Sequence, residues 1–336
     1  AKPDRTVIVN KLVKHLQLNR RTFLTLVTGA LASAVARLSP AENNPDAPVP
    51  CMLTPDQTAG FTARTLMTTG DKFGAYRPPG IMDGLGAWDW NDNTVRLFVN
   101  HELELNEGYP WTLSNGTEMT GARISWLDID KRTLSILGAG NAIQDIRDRR
   151  GAVVTHAEQV SEIRDRSLLD TLRGADKQGL NSLCSAQGYK PGQYGFVDDI
   201  LFTHEEVSTA EGHPHGGSVW VLDVRAGTLW ALPELGRGAW ENVAAVETPD
   251  QDRDDGHIAL LMGDDFDAGA APLYLWVGKK IPGGNLTERN GLTQGQLYAW
   301  ASDNGDLSPE DWNGTGTERS GTFKPLVTRQ PDLAGQ

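Results

Sequence analysis

The sequence predicts a mainly β fold, and three observations support this. The 336 residues include 37 glycines and 10 tryptophans, a composition typical of strands joined by tight turns. Apolar residues come in short runs of strand length, and few stretches have the length and period of an amphipathic helix. The chain is also long enough to bury the core of one large β domain or of two ordinary ones.

The N-terminal segment is predicted to be an export signal. Residues 1–40 hold seven Lys/Arg and one Asp, a balance of +6. Asn19-Arg20-Arg21-Thr22-Phe23-Leu24 is a twin-arginine motif, and the apolar run that follows it ends at the small-residue cleavage site Ala34-Val35-Ala36. The apolar run is too short for an ordinary membrane span. An N-terminal helix of the fold is the alternative interpretation.

This signal sets the predicted domain organisation and location. We expect residues 1–36 to be removed on maturation, residues 37–60 to be a linker, and residues 61–336 to form the β domain. The mature protein is then periplasmic or extracellular, exported by the twin-arginine route, with no stable membrane insertion once the signal is removed. We expect it to be a monomer.

Net charge and cysteine content narrow the function further. The formal net charge is −13, so the +6 of residues 1–40 leaves −19 for the remainder. This charge argues against nucleic acid or an anionic membrane as a partner and suits cation binding. Cys51 and Cys184 do not form a disulfide framework; they form one bridge or remain buried thiols. For Cys184 the sequence favours a buried thiol over a soft metal ligand.

Three apolar runs end in acidic residues. Residues 95–100 lead to His101-Glu102, residues 200–203 to His204-Glu205-Glu206, and residues 259–263 to Asp264-Asp265. When the runs are aligned, Glu102, Glu206 and Asp265 fall in one register. Carboxylates that share a site repel one another unless a cation compensates them. The pattern therefore predicts a metal site, and oxygen ligands of this kind suit Ca²⁺. For any single acidic pair, a solvated turn is the alternative.

Glu205 and Asp264 stand one position before the aligned acids. Adjacent residues on a strand point to opposite faces, so neighbours cannot both face one ion without a bulge or a turn. Glu205 and Asp264 are therefore expected either to complete the ligand shell or to brace it.

A further candidate ligand and two histidines stand outside this register. Glu241 lies between Trp240 and an apolar run, where a carboxylate is costly unless it is paired or bound to a metal. An ion pair with Arg237 is the alternative. His213 and His215 are spaced for chelation, but a Gly/Pro-bounded surface loop explains them better.

The order of strands indicates a propeller. Acidic-ended strands are followed by hairpins, predicted around residues 123–137, 217–232 and 295–305. The uneven spacing of the repeats, 104 residues from Glu102 to Glu206 and 59 from Glu206 to Asp265, fits propeller blades that carry insertions. We predict a β-propeller, complete or incomplete, with a short helical insertion around residues 160–175, such as Glu162 to Leu172.

With these residues in hand, the chain resembles the PhoX-type alkaline phosphatase family of twin-arginine-exported β-propellers. The resemblance covers most of residues 60–310. It rests on short motifs in a shared order: Asn100-His101-Glu102, Leu183-Cys184-Ser185-Ala186, Thr203-His204-Glu205-Glu206, Gly236-Arg237 with Glu241, Met262-Gly263-Asp264-Asp265 and Gly295-Gln296-Leu297-Tyr298.

The resemblance implies a cluster of iron and calcium in the propeller channel that hydrolyses phosphomonoesters without a phosphorylated side chain. In the family a cysteine helps to hold the iron; the nearest candidates are Cys184 and the position of His204. The family's later Arg-Pro-Glu-Asp segment is matched only by Arg329-Gln330-Pro331-Asp332. The chain is therefore expected to be either a fragment or a divergent member.

The predicted function is hydrolysis of a small phosphorylated substrate outside the cytoplasm. Ca²⁺, and iron on the strength of the resemblance, are the expected metals. The predicted metal ligands are Glu102, Glu205, Glu206, Glu241, Asp264 and Asp265. Arg237, the only basic residue beside a candidate ligand, is the predicted phosphate-holding catalytic residue. The alternative is a calcium-stabilised propeller that binds a ligand or partner and catalyses nothing.

Overall fold

The computed structural model describes residues 65–105, 107–161, 179–207, 216–265, 272–306 and 318–328. The export signal, the linker, Cys51, His213, His215 and the helix predicted from Glu162 lie outside these residues. The chain divides into two compact units, Ala1–Thr68 and Thr69–Gln336. The account that follows concerns the described part of the second unit.

The described residues are mainly β, as predicted, with two one-turn helices. The helices are α1 (Glu158–Ser161) and α2 (Leu286–Arg289). The strands, in chain order, are β1 (Met82–Asn91), β2 (Thr94–His101), β3 (Trp111–Thr112), β4 (Glu118–Gly121), β5 (Arg123–Asp130), β6 (Ile136–Asn141), β7 (Asp145–Arg147), β8 (Gly179–Leu180), β9 (Leu183–Tyr189), β10 (Ile200–Glu205), β11 (Gly217–Asp223), β12 (Thr228–Ala231), β13 (Arg237–Gly238), β14 (Trp240–Val246), β15 (His257–Asp264), β16 (Tyr274–Lys279), β17 (Gln294–Ser302) and β18 (Gly321–Pro325).

Three sheets contain most of these strands. The first sheet has the order β1-β2-β5-β6, and the third has the order β14-β15-β16-β17-β18. The second has the order β9-β10-β11-β12, with β7 added in parallel to β12 and β13 paired with β11. The other neighbours in these sheets are antiparallel, which gives the first and second sheets a run of four antiparallel strands and the third a run of five. A small separate sheet of β3, β4 and β8 contributes to the same hydrophobic core as the first two sheets.

Two of the predicted hairpins are confirmed, and the repeating unit differs from the prediction. β5 pairs with β6, and β11 pairs with β12. The acidic-ended strands are β2, β10 and β15, and each is the second strand of its sheet. The repeating unit therefore begins one strand earlier, at β1, β9 or β14. The sequence pattern missed this because these first strands do not end in a run of charges.

The second sheet packs between the other two. In β10, Leu201 lies in a core with Trp88 of the first sheet, whereas Phe202 lies in a core with Leu260 of the third. Because successive side chains of a strand point to opposite faces, β10 is buried on both and reads as a continuous apolar run. Burial of each such large side chain stabilises the fold by roughly 1.5–3 kcal/mol.

The stacked sheets agree with the predicted propeller in an incomplete form. The first strands β1, β9 and β14 are the edge strands that face one another across the stack, with β9 in contact with both β1 and β14. Within the described residues the sheets do not close into a ring. No helix among the described residues is both long and apolar enough to cross a membrane.

Candidate metal centre

The three sheets bring the starts of their first strands and the ends of their second strands to a common end. In the antiparallel registers, Met82 pairs with His101, Leu183 with Glu205, and Trp240 with Asp264. The acids that follow the second strands therefore lie beside the residues that open the first strands. We call this end of the sheets, where Glu102, Glu206 and Asp265 lie, the acidic end.

Each first strand carries a β-bulge at the acidic end. After the pair Met82–His101, the next pair is three residues further along β1 but only two along β2. After the pair Leu183–Glu205, the next pair is likewise three residues further along β9 but only two along β10. Between Trp240 and Asn242, β14 likewise advances one residue more than β15. The second residue of each first strand lies in its bulge: Asp83, Cys184 and Glu241. A bulge breaks the alternation of side chains and re-aims them, which is why Glu241 and Asn242 are both exposed although they are adjacent in β14.

The acids after the second strands are fixed by one repeated backbone contact. The N–H of Glu102 donates to the carbonyl of Ile81 at 2.9 Å, that of Glu206 to Ser182 at 3.0 Å, and that of Asp265 to Ala239 at 2.8 Å. Each acceptor is the residue immediately before a first strand. The three sheets thus present the same two-residue arrangement, one group from the bulge and one from the following strand end.

Two of these acceptor residues have strained backbones. Ile81 has a φ of 49° and Ser182 a φ of 44°, in the left-handed region that L-residues avoid, a β-branched residue such as Ile81 most of all. Such a conformation costs on the order of 1–3 kcal/mol and persists only where the surroundings enforce it. The strain lies beside the acidic end of both sheets, where the chain is turned to place Asp83 and Cys184.

A thiol and two carboxylates meet at the acidic end. Ligand atoms of Cys184, Glu206 and Glu241 all lie within 4.8 Å of one another. Zn–S bonds of about 2.3 Å and Zn–O bonds of about 2.0–2.2 Å show how close such ligands must come to share one ion. The three groups come from β9, the end of β10 and β14, so two sheets contribute to the triplet.

Glu206 is surrounded by other carboxylates. Burial, together with the nearby charges of Glu241, Glu102 and Asp265, raises the pKa of Glu206 to about 8. The pKa of Glu102 is raised by burial first and then by Asp83, while a hydrogen bond with Glu206 opposes the rise. Each charged residue that shifts these two pKa values is therefore itself an acid. Five carboxylates, Asp83, Glu102, Glu206, Glu241 and Asp265, share one electrostatic environment.

Cys184 is a free, buried thiol that points at this cluster. Its exposed fraction is 1%, and its Sγ donates to the carbonyl of Trp240 at 3.1 Å. Burial raises the pKa of the thiol, and the nearby charges of Glu241, Glu206 and Asp83 act in the same direction. The sequence favoured a buried thiol; the structure buries Cys184 and also sets it against two acids.

The carboxylate of Glu205 faces away from the cluster. It accepts from the N–H of Asn181 and from the N–H of Ser218, both at 3.1 Å. Its pKa is raised by burial, with Arg149 and these donors acting in the opposite direction. Of the two predicted roles, its position fits bracing: Glu205 holds the end of β10 while the next residue turns towards the acidic end.

Asp264 lies between the carboxylate cluster and the buried interior. It pairs with Trp240 in the ladder and is half-buried, and its Oδ1 is buried with no hydrogen-bond partner among the described residues. Burial raises its pKa, the Ala239 backbone opposes the rise, and Asp265 adds to it.

Arg237 is anchored to the backbone of the second sheet. Its Nε and Nη2 donate to the carbonyl of Gly216 at 3.0 and 2.6 Å, and its strand β13 pairs with β11. Two of its N–H groups are therefore used in a structural contact.

Sequence reasoning missed Asp83 and undervalued Cys184. Their signal is an apolar residue followed by a potential ligand, as in Met82-Asp83, Leu183-Cys184 and Trp240-Glu241. Spacing within a sheet is also regular: Asp83 precedes Glu102 by 19 residues, Cys184 precedes Glu206 by 22, and Glu241 precedes Asp265 by 24. The predicted acids Glu102, Glu206, Glu241 and Asp265 are brought together.

The donor set fits metal ions of two kinds. Carboxylate oxygens are the ligands that Ca²⁺ takes in proteins. A thiolate selects softer ions such as iron or zinc, and Cys184 supplies one beside Glu206 and Glu241. Like charges gathered at a partly buried site without a cation are costly, so the arrangement itself favours a bound cation.

Comparison with known proteins gives a limited likeness. No family model and no curated protein matches the sequence. A solved structure described as Pseudomonas fluorescens PhoX in complex with vanadate, a transition state analogue, is similar to this chain at a TM-score of 0.41 and 18% sequence identity. The match covers 70% of this chain and 48% of that one. The chain therefore spans about half the length of that structure.

Proposed function

We propose that the chain provides the metal-binding end of a metal-dependent phosphomonoesterase of PhoX type that acts outside the cytoplasm. The observation that carries the proposal is the convergence of six potential ligand groups from three sheets on one acidic end. The motifs by which the chain resembles that family supply the reaction class, and five of those motifs contain groups of the cluster: Glu102, Cys184, Glu206, Glu241 and Asp265.

The donors divide into two groups with different metal preferences. Cys184, Glu206 and Glu241 include a thiolate and would hold iron or another transition metal. Asp83, Glu102 and Asp265 offer oxygen alone and would hold Ca²⁺. Glu206 interacts with both groups and would bridge them. The identity of the ions is part of the proposal.

Bound metal ions would supply phosphate binding, charge neutralisation and an activated water. The chain's own residues would hold these ions. The bulges aim Asp83, Cys184 and Glu241, and the repeated backbone contacts fix the other three acids. Glu205 anchors the end of β10. Because the cluster is strongly negative, an anionic phosphate ester approaches only after cations have compensated it.

A calcium-stabilised propeller without catalysis is the second candidate, and one observation favours it. Hydrolysis of a phosphate ester calls for a cation of the protein or a metal to hold the phosphate. Arg237 is the predicted residue for this role, yet two of its N–H groups are committed to the carbonyl of Gly216. A cluster filled by Ca²⁺ alone would stabilise the fold and need no such group.

Turnover of p-nitrophenyl phosphate by the full chain, loaded with Fe²⁺ or Fe³⁺ and Ca²⁺, separates these candidates. The phosphatase proposal predicts turnover that chelation abolishes and that Glu206→Gln removes. Glu118→Gln, an exposed glutamate of β4, is the matched control and should retain full activity. Stabilisation by Ca²⁺ without turnover, with iron or without it, would favour the binding module.

A further inference from the structure

Asn100 is a buried amide that connects the first sheet to the bulge of the second. It lies at the end of β2 with an exposed fraction of 0%. Its Nδ2 lies 2.6 Å from the carbonyl oxygen of Cys184, 3.1 Å from that of Ser185, and 2.8 Å from Oγ1 of Thr203. Its partners thus include the backbone of the only thiol at the acidic end among the described residues.

The orientation of this amide follows from the chemistry of its partners. Backbone carbonyls only accept hydrogen bonds, so the NH₂ group and not the oxygen of Asn100 must face Cys184 and Ser185. A flipped amide would set its oxygen against two carbonyl oxygens in a buried site. Asn100 Oδ1 accordingly has no hydrogen-bond partner within the described residues. The side chain therefore leaves its oxygen unpaired while its NH₂ group holds the bulge.

The bulge needs such a donor. A β-bulge interrupts the ladder locally, and buried carbonyls must then find partners outside it. In β2, Asn100 lies opposite the bulge of β1, two residues before Glu102, and its amide reaches the bulge of β9 in the neighbouring sheet. The equivalent residue of β10 is His204 and that of β15 is Gly263, which has no side chain. The amide is therefore specific to the contact between the first and second sheets.

The second sheet makes an analogous contact with the third. Cys184 Sγ donates to the carbonyl of Trp240 at 3.1 Å, and Ser185 Oγ donates to the carbonyl of Glu241. The residues that Asn100 holds are thus the same two that hold the bulge carrying Glu241. The Asn100 amide of the first sheet thus holds Cys184 and Ser185 of the second sheet, and these two residues contact the backbone of the third sheet.

We propose that Asn100 is a positioning residue that holds the bulge of β9 so that Cys184 Sγ lies against Glu206 and Glu241. The inference rests on the proposed metal centre, because only a bound ion makes the position of Sγ functionally important. It assigns Asn100 no contact with substrate and no ligand bond. Outer-shell partners of this kind typically change metal affinity about 10- to 100-fold when removed.

The test is a titration of the full, reduced chain with Co²⁺, monitored by the near-ultraviolet absorption that a cobalt–thiolate bond produces. Asn100→Ala should bind Co²⁺ about 10- to 100-fold more weakly and lose most of the thiolate band per bound ion. Asn290→Ala is the matched control. Asn290 is also fully buried and donates from Nδ2 to Asp198 and to the carbonyl of Leu286, beside the opposite end of β10.

The outcomes separate this inference from the proposed function. The wild-type chain should show the cobalt–thiolate band, and Cys184→Ser should abolish it. If the wild-type chain shows no such band, both proposals are overturned. If the band is present but Asn100→Ala resembles Asn290→Ala in affinity and intensity, the positioning role is overturned while the metal centre stands. If Asn100→Ala does not fold, Thr203→Val, which removes one partner of the amide and keeps the shape of the side chain, replaces it. Weaker binding with a reduced band supports the inference, and unchanged values overturn it.

Discussion

The two ends of the stacked sheets differ in the partners of their acidic residues. At the start of β10, Asp198 forms a salt bridge with Arg289 at 2.7 Å, and Asp199 forms one with Arg225 at 2.8 Å. At the start of β15, Asp250 accepts from His257 at 2.8 Å. At the acidic end of the same strands, Glu206 interacts with Glu241, Glu102 and Asp265. One end compensates its charge within the chain, and the other gathers like charges.

In the loop before β15, several acids lie near a cation of the protein, Lys280. Four aspartates at positions 250, 252, 254 and 255 raise the pKa of Lys280, although burial lowers it overall. The Lys280 ammonium donates to the carbonyls of Gly195 and Gln251 at 3.0 and 2.6 Å. Four acids thus act on a lysine of the protein. The charged residues that act on Glu206 and Glu102 are all acids, so the cation of the acidic end is expected to come from solution.

The largest expected effect is the loss of metal-dependent stabilisation in Glu206→Gln. An ion present at 100 times its Kd stabilises the folded wild-type chain by about 2.7 kcal/mol. Replacing the carboxylate that interacts with both donor groups should remove most of this gain and relieve repulsion in the metal-free protein. Thermal unfolding with Ca²⁺ and with a chelator measures the difference. Glu118→Gln should retain the full gain, and an equal gain in Glu206→Gln would count against the metal centre.

Cys184→Ser should separate the two donor groups. Removing the thiolate leaves five carboxylates, so Ca²⁺ stabilisation should persist while binding of Co²⁺ falls sharply, because a hydroxyl does not replace a thiolate for such ions. Calorimetric titration of the same preparation with each ion gives both affinities. Equal losses for Ca²⁺ and Co²⁺ would mean that the acidic end is a single indivisible site.

At the opposite end, Asp198→Asn should lower the free energy of unfolding by about 1 kcal/mol, with or without metal. It removes the charge from a bidentate contact with Arg289, a half-buried pair that solvent partly screens. Urea unfolding in the presence and absence of Ca²⁺ measures this effect. A loss that appears only with Ca²⁺ would contradict the proposed independence of the two ends.

The same pair gives the smallest effect, a dependence on pH. Burial raises the pKa of Asp198, but the hydrogen bonds from Arg289 and Asn290 outweigh it, and the net pKa is lowered. A lowered carboxyl pKa stabilises the fold above the unfolded-state value of about 3.9 and ceases to do so as pH falls through the folded value. The difference in unfolding free energy between wild type and Asp198→Asn should therefore be constant near neutrality and shrink below about pH 4. A difference that grows on acidification would reverse the sign of this argument.

The sequence predicted four of the six groups at the acidic end, and there is a physical reason why it missed Asp83 and undervalued Cys184. Glu102, Glu206 and Asp265 follow continuous apolar runs of strand length, a signal that can be read directly from the sequence. Asp83 and Cys184 lie in bulges, where the period fails by one residue and the partner strand decides which way a side chain points. Glu241 was found only because a carboxylate between apolar residues is costly. The stacking order of the sheets, which no local pattern contains, decides that these groups meet.

The most direct test of the central claim is an anomalous difference map from crystals of the full chain grown with Co²⁺. The account predicts a peak about 2.0–2.3 Å from Cys184 Sγ and from carboxylate oxygens of Glu206 and Glu241, and none in the loop that surrounds Lys280. A map without a peak at the acidic end, or with cobalt only at the opposite end of the sheets, would contradict it.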